Sequence, residues 1–267
     1  MTQVIVITSG KGGVGKTTTT SNIGMALANY DFKTLLIDAD LGLRNLDLLL
    51  GLENRVIYTG TDVILKNCRL EQALITDKRQ PNLTFFPLSS NANANLMTQE
   101  EFEILLNKLK PSYDYILIDS PAGIDSGFNL SVCGANKAIV VVTPEIPSIR
   151  DADKVIGLLQ TKDVKETYLL INRVRIDMIN AENMMSVDDV KSILGLPLIG
   201  IVPDSENIII ASNRGEPIVL DQDASLPRLA FEHVARRLKG EEFELIDLNE
   251  VKSKNIFNKF FSKLKKA

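Results

Sequence analysis

The chain has 267 residues, 45% of them hydrophobic, enough to bury the core of one large α/β domain. Thirty lysines and arginines stand against 34 aspartates and glutamates, for a net charge of −4 and an isoelectric point of about 5.3, which argues against a general nucleic-acid coat. Two widely separated cysteines, Cys68 and Cys133, and one histidine, His233, exclude a disulfide framework, a structural zinc site and a histidine-based hydrolase triad. The cysteines read as small buried hydrophobes and His233, among Glu232, Arg236 and Arg237, as a surface residue.

Apolar runs alternate with helical patterns along most of the chain, the mark of β-α-β units in a mainly parallel, three-layer α/β fold. Strands are expected at Val4–Thr8, Thr34–Asp38, Leu83–Pro87, Tyr115–Asp119, Ala138–Thr143, Thr167–Asn172 and Leu198–Val202. Helices are expected at Thr17–Asn29, Thr98–Leu109, Pro147–Leu159, Ser186–Leu194 and Leu226–Leu238, with capping boxes at Thr98/Glu101 and, more weakly, Ser186/Asp189. Three segments follow: a body over 1–240, an acidic connector over 241–251 and a basic tail over 252–267. The N-terminus enters its first strand at once, leaving no room for a signal peptide, and no apolar run is long enough to span a bilayer.

Between the first strand and the first helix lies Gly10-Lys11-Gly12-Gly13-Val14-Gly15-Lys16-Thr17-Thr18, with the P-loop spacing Gly-x-x-x-x-Gly-Lys-Thr. Glycines there let backbone N–H groups wrap a polyphosphate, Lys16 reaches the β- and γ-phosphates, and Thr17 ligates Mg²⁺. Lys11 is either a spare solvated charge or a second cation for phosphoryl transfer. In such sheets ligands bind at the carboxyl ends of strands. Those ends carry Asp38 and Asp40, then Asp119 in a Walker B pattern followed by Gly123, then Glu145 and Asp151 opening a helix, then Asn172-Arg173, and finally Pro203. Asx-type turns and favourable acids at a helix start are the bland readings of these positions.

With Lys11, the loop resembles the deviant Walker A ATPases, the MinD/ParA family, and the whole chain resembles their septum-site-determining branch, including Ser-Asn-Arg-Gly-Glu-Pro-Ile at 212–218. The resemblance implies ATP and Mg²⁺ as ligands and an ATP-sandwich homodimer in which Lys11 reaches the partner's nucleotide. It assigns catalysis to Lys11, Lys16 and Asp40, the last aligning the attacking water, and the metal shell to Thr17, Asp38 and Asp119. Gly123 would serve as γ-phosphate sensor, while Asn172, Arg173 and Pro203 would border adenine. Asn45, Glu145 and Asp151 would line the dimer and regulator interface. A MinC-like inhibitor of FtsZ ring assembly and a MinE-like activator of hydrolysis are the implied partners, with ParA-like DNA partitioning as the alternative. Asn172 is followed by Arg-Val-Arg rather than the Lys-x-Asp of GTP enzymes, which favours ATP.

The last sixteen residues carry six lysines and no acid, leaving −10 for the rest. At helical spacing Ile256, Phe257, Phe260, Phe261 and Leu264 fall within an arc of about 140° that excludes every lysine. That is the pattern of an in-plane anchor on an anionic membrane, and the expected location is the cytoplasm and the inner face of its membrane, or the stromal equivalent. A terminal helix packed on the body and a partner-binding peptide are the other readings.

Overall fold

In the computed structural model the first strand, β1 (Gln3–Thr8), is buried almost throughout, because helices cover both faces of the sheet it centres. Residues 2–40, 44–89, 97–162, 164–246 and 248 are described. In chain order the remaining elements begin with α1 (Lys16–Asn29), β2 (Thr34–Asp38), α2 (Leu46–Leu49), α3 (Gly60–Ile64), α4 (Leu70–Ala73), β3 (Ile75–Thr76), β4 (Leu83–Pro87) and α5 (Gln99–Leu109). They continue with β5 (Tyr115–Asp119), α6 (Ser126–Val132), β6 (Lys137–Val142), α7 (Ile146–Gln160), β7 (Glu166–Val174), α8 (Ile176–Asn180), α9 (Val187–Leu194), β8 (Leu198–Pro203), α10 (Glu206–Asn213) and α11 (Leu226–Leu238).

The sheet order is β3-β4-β2-β5-β1-β6-β7-β8, parallel except for the two-residue edge strand β3. Within each strand, alternate residues feed different layers. Val4, Val6, Ile116, Ile118, Val140 and Val142 pack under α5, α6 and α7, whereas Ile5, Ile7, Leu117, Ile139 and Val141 pack under α1 and α11. A strand flanked on both sides therefore reads as one continuous apolar run. The chain winds from β1 toward β2 on one side and β6 on the other, so the crevice at the end of β1 is the topological switch point.

The long expected elements all form, with ends that coincide or differ by at most two residues. Both capping boxes are present, with Glu101 N–H donating to Thr98 Oγ1 at 3.2 Å and Asp189 N–H to Ser186 Oγ at 3.1 Å. β7 runs past Asn172 to Val174 through a bulge, in which Arg173 takes φ 57°. Sequence periodicity does not reveal β3, α2, α3, α4, α6 or α8, all of seven residues or fewer and too short to show a full amphipathic repeat, nor α10, which has no fully buried residue to mark an apolar face.

Two expectations need correction. His233 is buried, 5% exposed, because residues 241–246 return across α11 and lay Phe243 edge-on against it at 4.3 Å. Arg237 fixes this strap by donating to the carbonyls of Phe243, Glu244 and Ile199 at 2.8, 2.5 and 2.8 Å. The cysteines are only partly buried, with Cys133 Sγ–H donating to Glu103 at 3.1 Å. Ile256, Phe257, Phe260, Phe261 and Leu264 lie outside the described residues. Among the described residues no helix is long and apolar enough to cross a membrane.

Candidate nucleotide site

The loop from β1 to α1 is shaped by its glycines. Gly13 and Gly15 hold φ of 79° and 98°, a region that costs any residue with a Cβ. At Gly10 a Cβ would run into the Asp151 backbone, and at Gly15 into the Asn172 amide. Gly12 is exposed and Val14 buried, with the Val14 carbonyl accepting from Asn172 Nδ2 at 2.8 Å. No side chain caps the first turn of α1 and no acid lies in it, so a helix of 14 residues presents its positive end to the loop. That arrangement is suited to an anion.

Beneath the loop, Asp38 and Asp119 stand side by side because β2 and β5 pair in that register. Each is 2% exposed. Asp38 Oδ1 accepts from Asp40 N–H at 3.0 Å and Oδ2 from Leu46 N–H at 3.1 Å, so the carboxylate holds the loop that leaves β2. Asp119 Oδ1 accepts from Thr20 Oγ1 at 3.1 Å, and its carboxylate also bonds the Thr17 hydroxyl. Burial raises both carboxyl pKa values, Asp38 well above the usual range with Asp119 adding to the effect, and Asp119 to about 6 despite the Thr17 bond and the nearby Lys16 charge. Lys16 is itself buried and lowered by desolvation, with Asp119 and Asp40 opposing. Two adjacent buried acids whose pKa values burial raises form a pocket in which a cation would offset the cost of their charge. Two carboxylates and the Thr17 hydroxyl make an all-oxygen donor set of the kind that suits Mg²⁺, a cation that keeps waters and takes phosphate oxygens as ligands.

At the mouth, Lys11 Nζ lies 3.5 Å from Glu145 Oε2, the two side chains 43% and 53% exposed. Pairs that open to solvent contribute little stability, so Lys11 can leave Glu145 at small cost. Asp151 is not joined to Lys11; its carboxylate pairs with Lys154 at 3.1 Å and its backbone seats Gly10. Gly123, at φ 88°, donates its N–H to the Ser9 carbonyl at 3.3 Å and so ties the segment after β5 to the P-loop. Asn45 is exposed, immediately ahead of α2. The Thr18 carbonyl accepts from the Ser21 hydroxyl and Asn22 Nδ2 at 3.0 and 2.8 Å.

Asn172 is buried and turns one amide edge to Val14, while its Oδ1 has no partner. A buried acceptor left open is costly, and an exocyclic amine on a purine would satisfy it. Arg173 is exposed beside it. Pro203 ends β8 and lines a cavity of about 500 Å³ with Val174, Arg175, Asp204, Leu226 and Leu248. Sequence reasoning missed Thr20, whose hydroxyl reaches Asp119 one helical turn beyond Lys16, and the Leu46 amide that holds Asp38. The i to i+4 spacing from Lys16 pointed to Thr20; nothing local marks Leu46.

Residues 5–218 match the model of the CobQ/CobB/MinD/ParA nucleotide binding domain, and over 266 residues the chain is 62% identical to a septum site-determining protein MinD of Emiliania huxleyi, covering all of this chain and 98% of that protein. The chain belongs to the MinD family. Among solved MinD structures, the MinC:MinD cell division protein complex of Aquifex aeolicus is 47% identical with a TM-score of 0.85, covering 92% of this chain and 98% of that one. MinD of Pyrococcus horikoshii complexed with Mg-ADP is 29% identical at a TM-score of 0.82, covering 95% of this chain and all of that one. The MinD fold therefore accounts for the nucleotide-binding domain seen here, with its P-loop, parallel sheet and flanking helices.

Proposed function

We propose that this MinD-family chain is an ATP hydrolase that dimerises with ATP, attaches to an anionic membrane and recruits a MinC-like inhibitor of FtsZ ring assembly, until a MinE-like activator triggers hydrolysis and release. The observation that carries the reading is Lys11 at the mouth of a P-loop whose floor is the buried Asp38–Asp119 pair. Lys16 and the loop amides hold the β- and γ-phosphates, and Thr17, Asp38 and Asp119 hold Mg²⁺ directly or through water. The metal supplies charge neutralisation on the phosphate oxygens. Lys11 exchanges Glu145 for a partner subunit's phosphates, Asp40 orients the attacking water, and Asn172 accepts from the adenine amine. The MinC-containing relative supports an inhibitor partner, and the Mg-ADP relative supports the ligand pair.

The tail joins this cycle to a surface. Partial burial of its five apolar side chains is worth about 5 to 8 kcal/mol, and each lysine near anionic lipid adds about 1 kcal/mol. One such anchor is reversible, and two held in one dimer gain through effective concentration. The test is co-sedimentation with anionic liposomes, using the intact chain and a chain ending at Leu248. ATP but not ADP should bring down the intact chain only. Binding without ATP, or binding by the shortened chain, rejects the membrane switch, and salt-sensitive duplex DNA binding by the shortened chain supports partitioning instead. Lys11→Ala should abolish stimulated turnover while retaining nucleotide affinity. Asp40→Ala should hold an ATP-bound, membrane-attached dimer, and fast hydrolysis by that variant removes the water-positioning role.

A further inference from the structure

The 212–218 stretch and Arg79 lie outside every role assigned above, yet they meet at one corner of the molecule. Asp77, 2% exposed, takes Arg79 by three bonds: backbone N–H to Oδ1 at 2.8 Å, Nε to Oδ1 at 3.0 Å and Nη2 to Oδ2 at 2.6 Å. So anchored, the guanidinium reaches two backbone carbonyls from different elements. Nη2 donates to Leu50 O, at the end of α2, at 2.5 Å, and Nη1 to Gly215 O, past the end of α10, at 3.1 Å. The two backbones it joins are in contact, since a Cβ on Gly215 would lie 2.7 Å from Gly51 Cα and 3.1 Å from Leu48 O. Both glycines have positive φ, 60° and 66°, so the close approach needs the conformation as well as the missing side chain.

From this corner a chain of hydrogen bonds runs through α2 to the nucleotide site, and the main chain from Gly215 leads in four residues to Val219 and a second set of bonds. Through α2, Leu50 N–H donates to Leu46 O at 3.1 Å, and Leu46 N–H donates to Asp38 Oδ2 at 3.1 Å. Through the turn after α10, Val219 N–H donates to Asn22 Oδ1 at 3.3 Å, and Asn22 Nδ2 donates to Thr18 O, in the first turn after the P-loop, at 2.8 Å. One route ends on a floor carboxylate and the other on the helix that carries Lys16 and Thr17. We infer that Arg79 is a positioning residue for phosphoryl transfer: by locking α2 to the 214–219 turn it sets Asp38 against the P-loop helix. A four-residue helix has too few internal bonds to hold its own place; Leu46 and Leu50 seat it in the core, and the bonds to Asp38 and Arg79 at its two ends fix its position there. Arginine is required because only a planar fork can satisfy a carboxylate and two carbonyls together.

This inference rests on the ATPase reading, and Arg79→Lys in the full-length chain tests it. Lysine keeps a cation beside Asp77 but cannot span the three acceptors. Phe102→Leu, on the buried face of α5 in the opposite layer, is the comparison for general loss of stability. Hydrogen exchange followed by mass spectrometry, and hydrolysis as a function of ATP and of Mg²⁺, are measured on both variants and the unaltered chain. In Arg79→Lys, amide exchange over 44–50 and 215–219 should rise by about tenfold, as expected when charged hydrogen bonds that hold a local unit are lost. Its kcat should fall by about tenfold and its half-saturating Mg²⁺ rise several-fold while KM for ATP stays within about twofold, the split expected when transition-state geometry rather than ground-state binding is disturbed. Phe102→Leu should show neither the local exchange nor the kinetic split. Faster local exchange with unchanged kcat and Mg²⁺ dependence would make Arg79 a fold staple and overturn the inference, as would an Arg79→Lys that matches Phe102→Leu throughout. Absence of turnover in the unaltered chain would instead reject the ATPase reading.

Discussion

Gly15 is constrained by both its own torsion and its neighbour. Its φ of 98° is unfavourable for alanine, and an added Cβ would displace the Asn172 amide from Val14. Gly15→Ala should therefore lower ATP affinity by about tenfold or more, from a conformational cost of about 1 to 2 kcal/mol plus the displaced amide, as measured by nucleotide titration of the folded variant. The glycine was legible as part of a motif; its partner was not, because Asn172 reaches it only through the pairing of β6 with β1 and β7. His233 gives the opposite lesson. Charged neighbours in sequence suggested exposure, but burial under the strap, reinforced by Arg237 and Arg236, lowers its pKa to about 4. The unfolded chain takes up a proton as pH falls through about 6.5 while the folded chain stays neutral until about 4. The His233 contribution to stability should thus be lost as pH falls across that window. His233→Gln should show a shallower decline of Tm between pH 6.5 and 4 than the unaltered chain, and an equal decline would refute the assignment.

At the scale of elements, the legible helices and strands are those long enough to repeat. α5, α7 and α11 each span 11 residues or more, and their buried positions recur at three- and four-residue intervals. The short helices α2 and α10 have no such signal; α2 is seated by Leu46 and Leu50 together with the bonds at its ends, and α10 by Ile208 and Ala211 packed on the same core. The strap after α11 is another element that composition hides: it is rich in glutamate, yet Phe243 sits against His233 and under Arg236, whose guanidinium carbon is 4.0 Å from the ring centroid. Glu241 adds paired bonds to Arg236 and Lys239, each 2.5 Å. Phe243→Ala should cost about 2 kcal/mol, less than a fully buried aromatic because the ring is only half-buried and part of the loss is its cation–π contact. Urea unfolding checks this value. Protection of 241–246 from exchange should fall with it, whereas an unchanged strap would mean that the arginine–carbonyl bonds suffice.

Across the whole molecule, the sheet separates two cores with no buried residue in common, although the half-buried Ile246 packs against both. Phe102 lies fully buried on one side and Phe85 on the other. Phe102→Ala and Phe85→Ala should each cost about 3 to 5 kcal/mol, and the double variant about their sum, because distant sites without common partners add. Marked departure from additivity in equilibrium unfolding would show that the sheet transmits packing strain from one layer to the other. By itself the sequence determined the P-loop, the alternation of strands and helices and the division of charge between body and tail, because each is written in adjacent residues or in a local period. Only the tertiary structure decided that Asp38 lies beside Asp119, that Lys11 meets Glu145 while Asp151 does not, that His233 is covered, and that Arg79 grips α2 and the turn beyond α10. Those juxtapositions depend on strand order and register, which arise from packing two apolar layers on one twisted sheet and leave no mark on the residues taken singly.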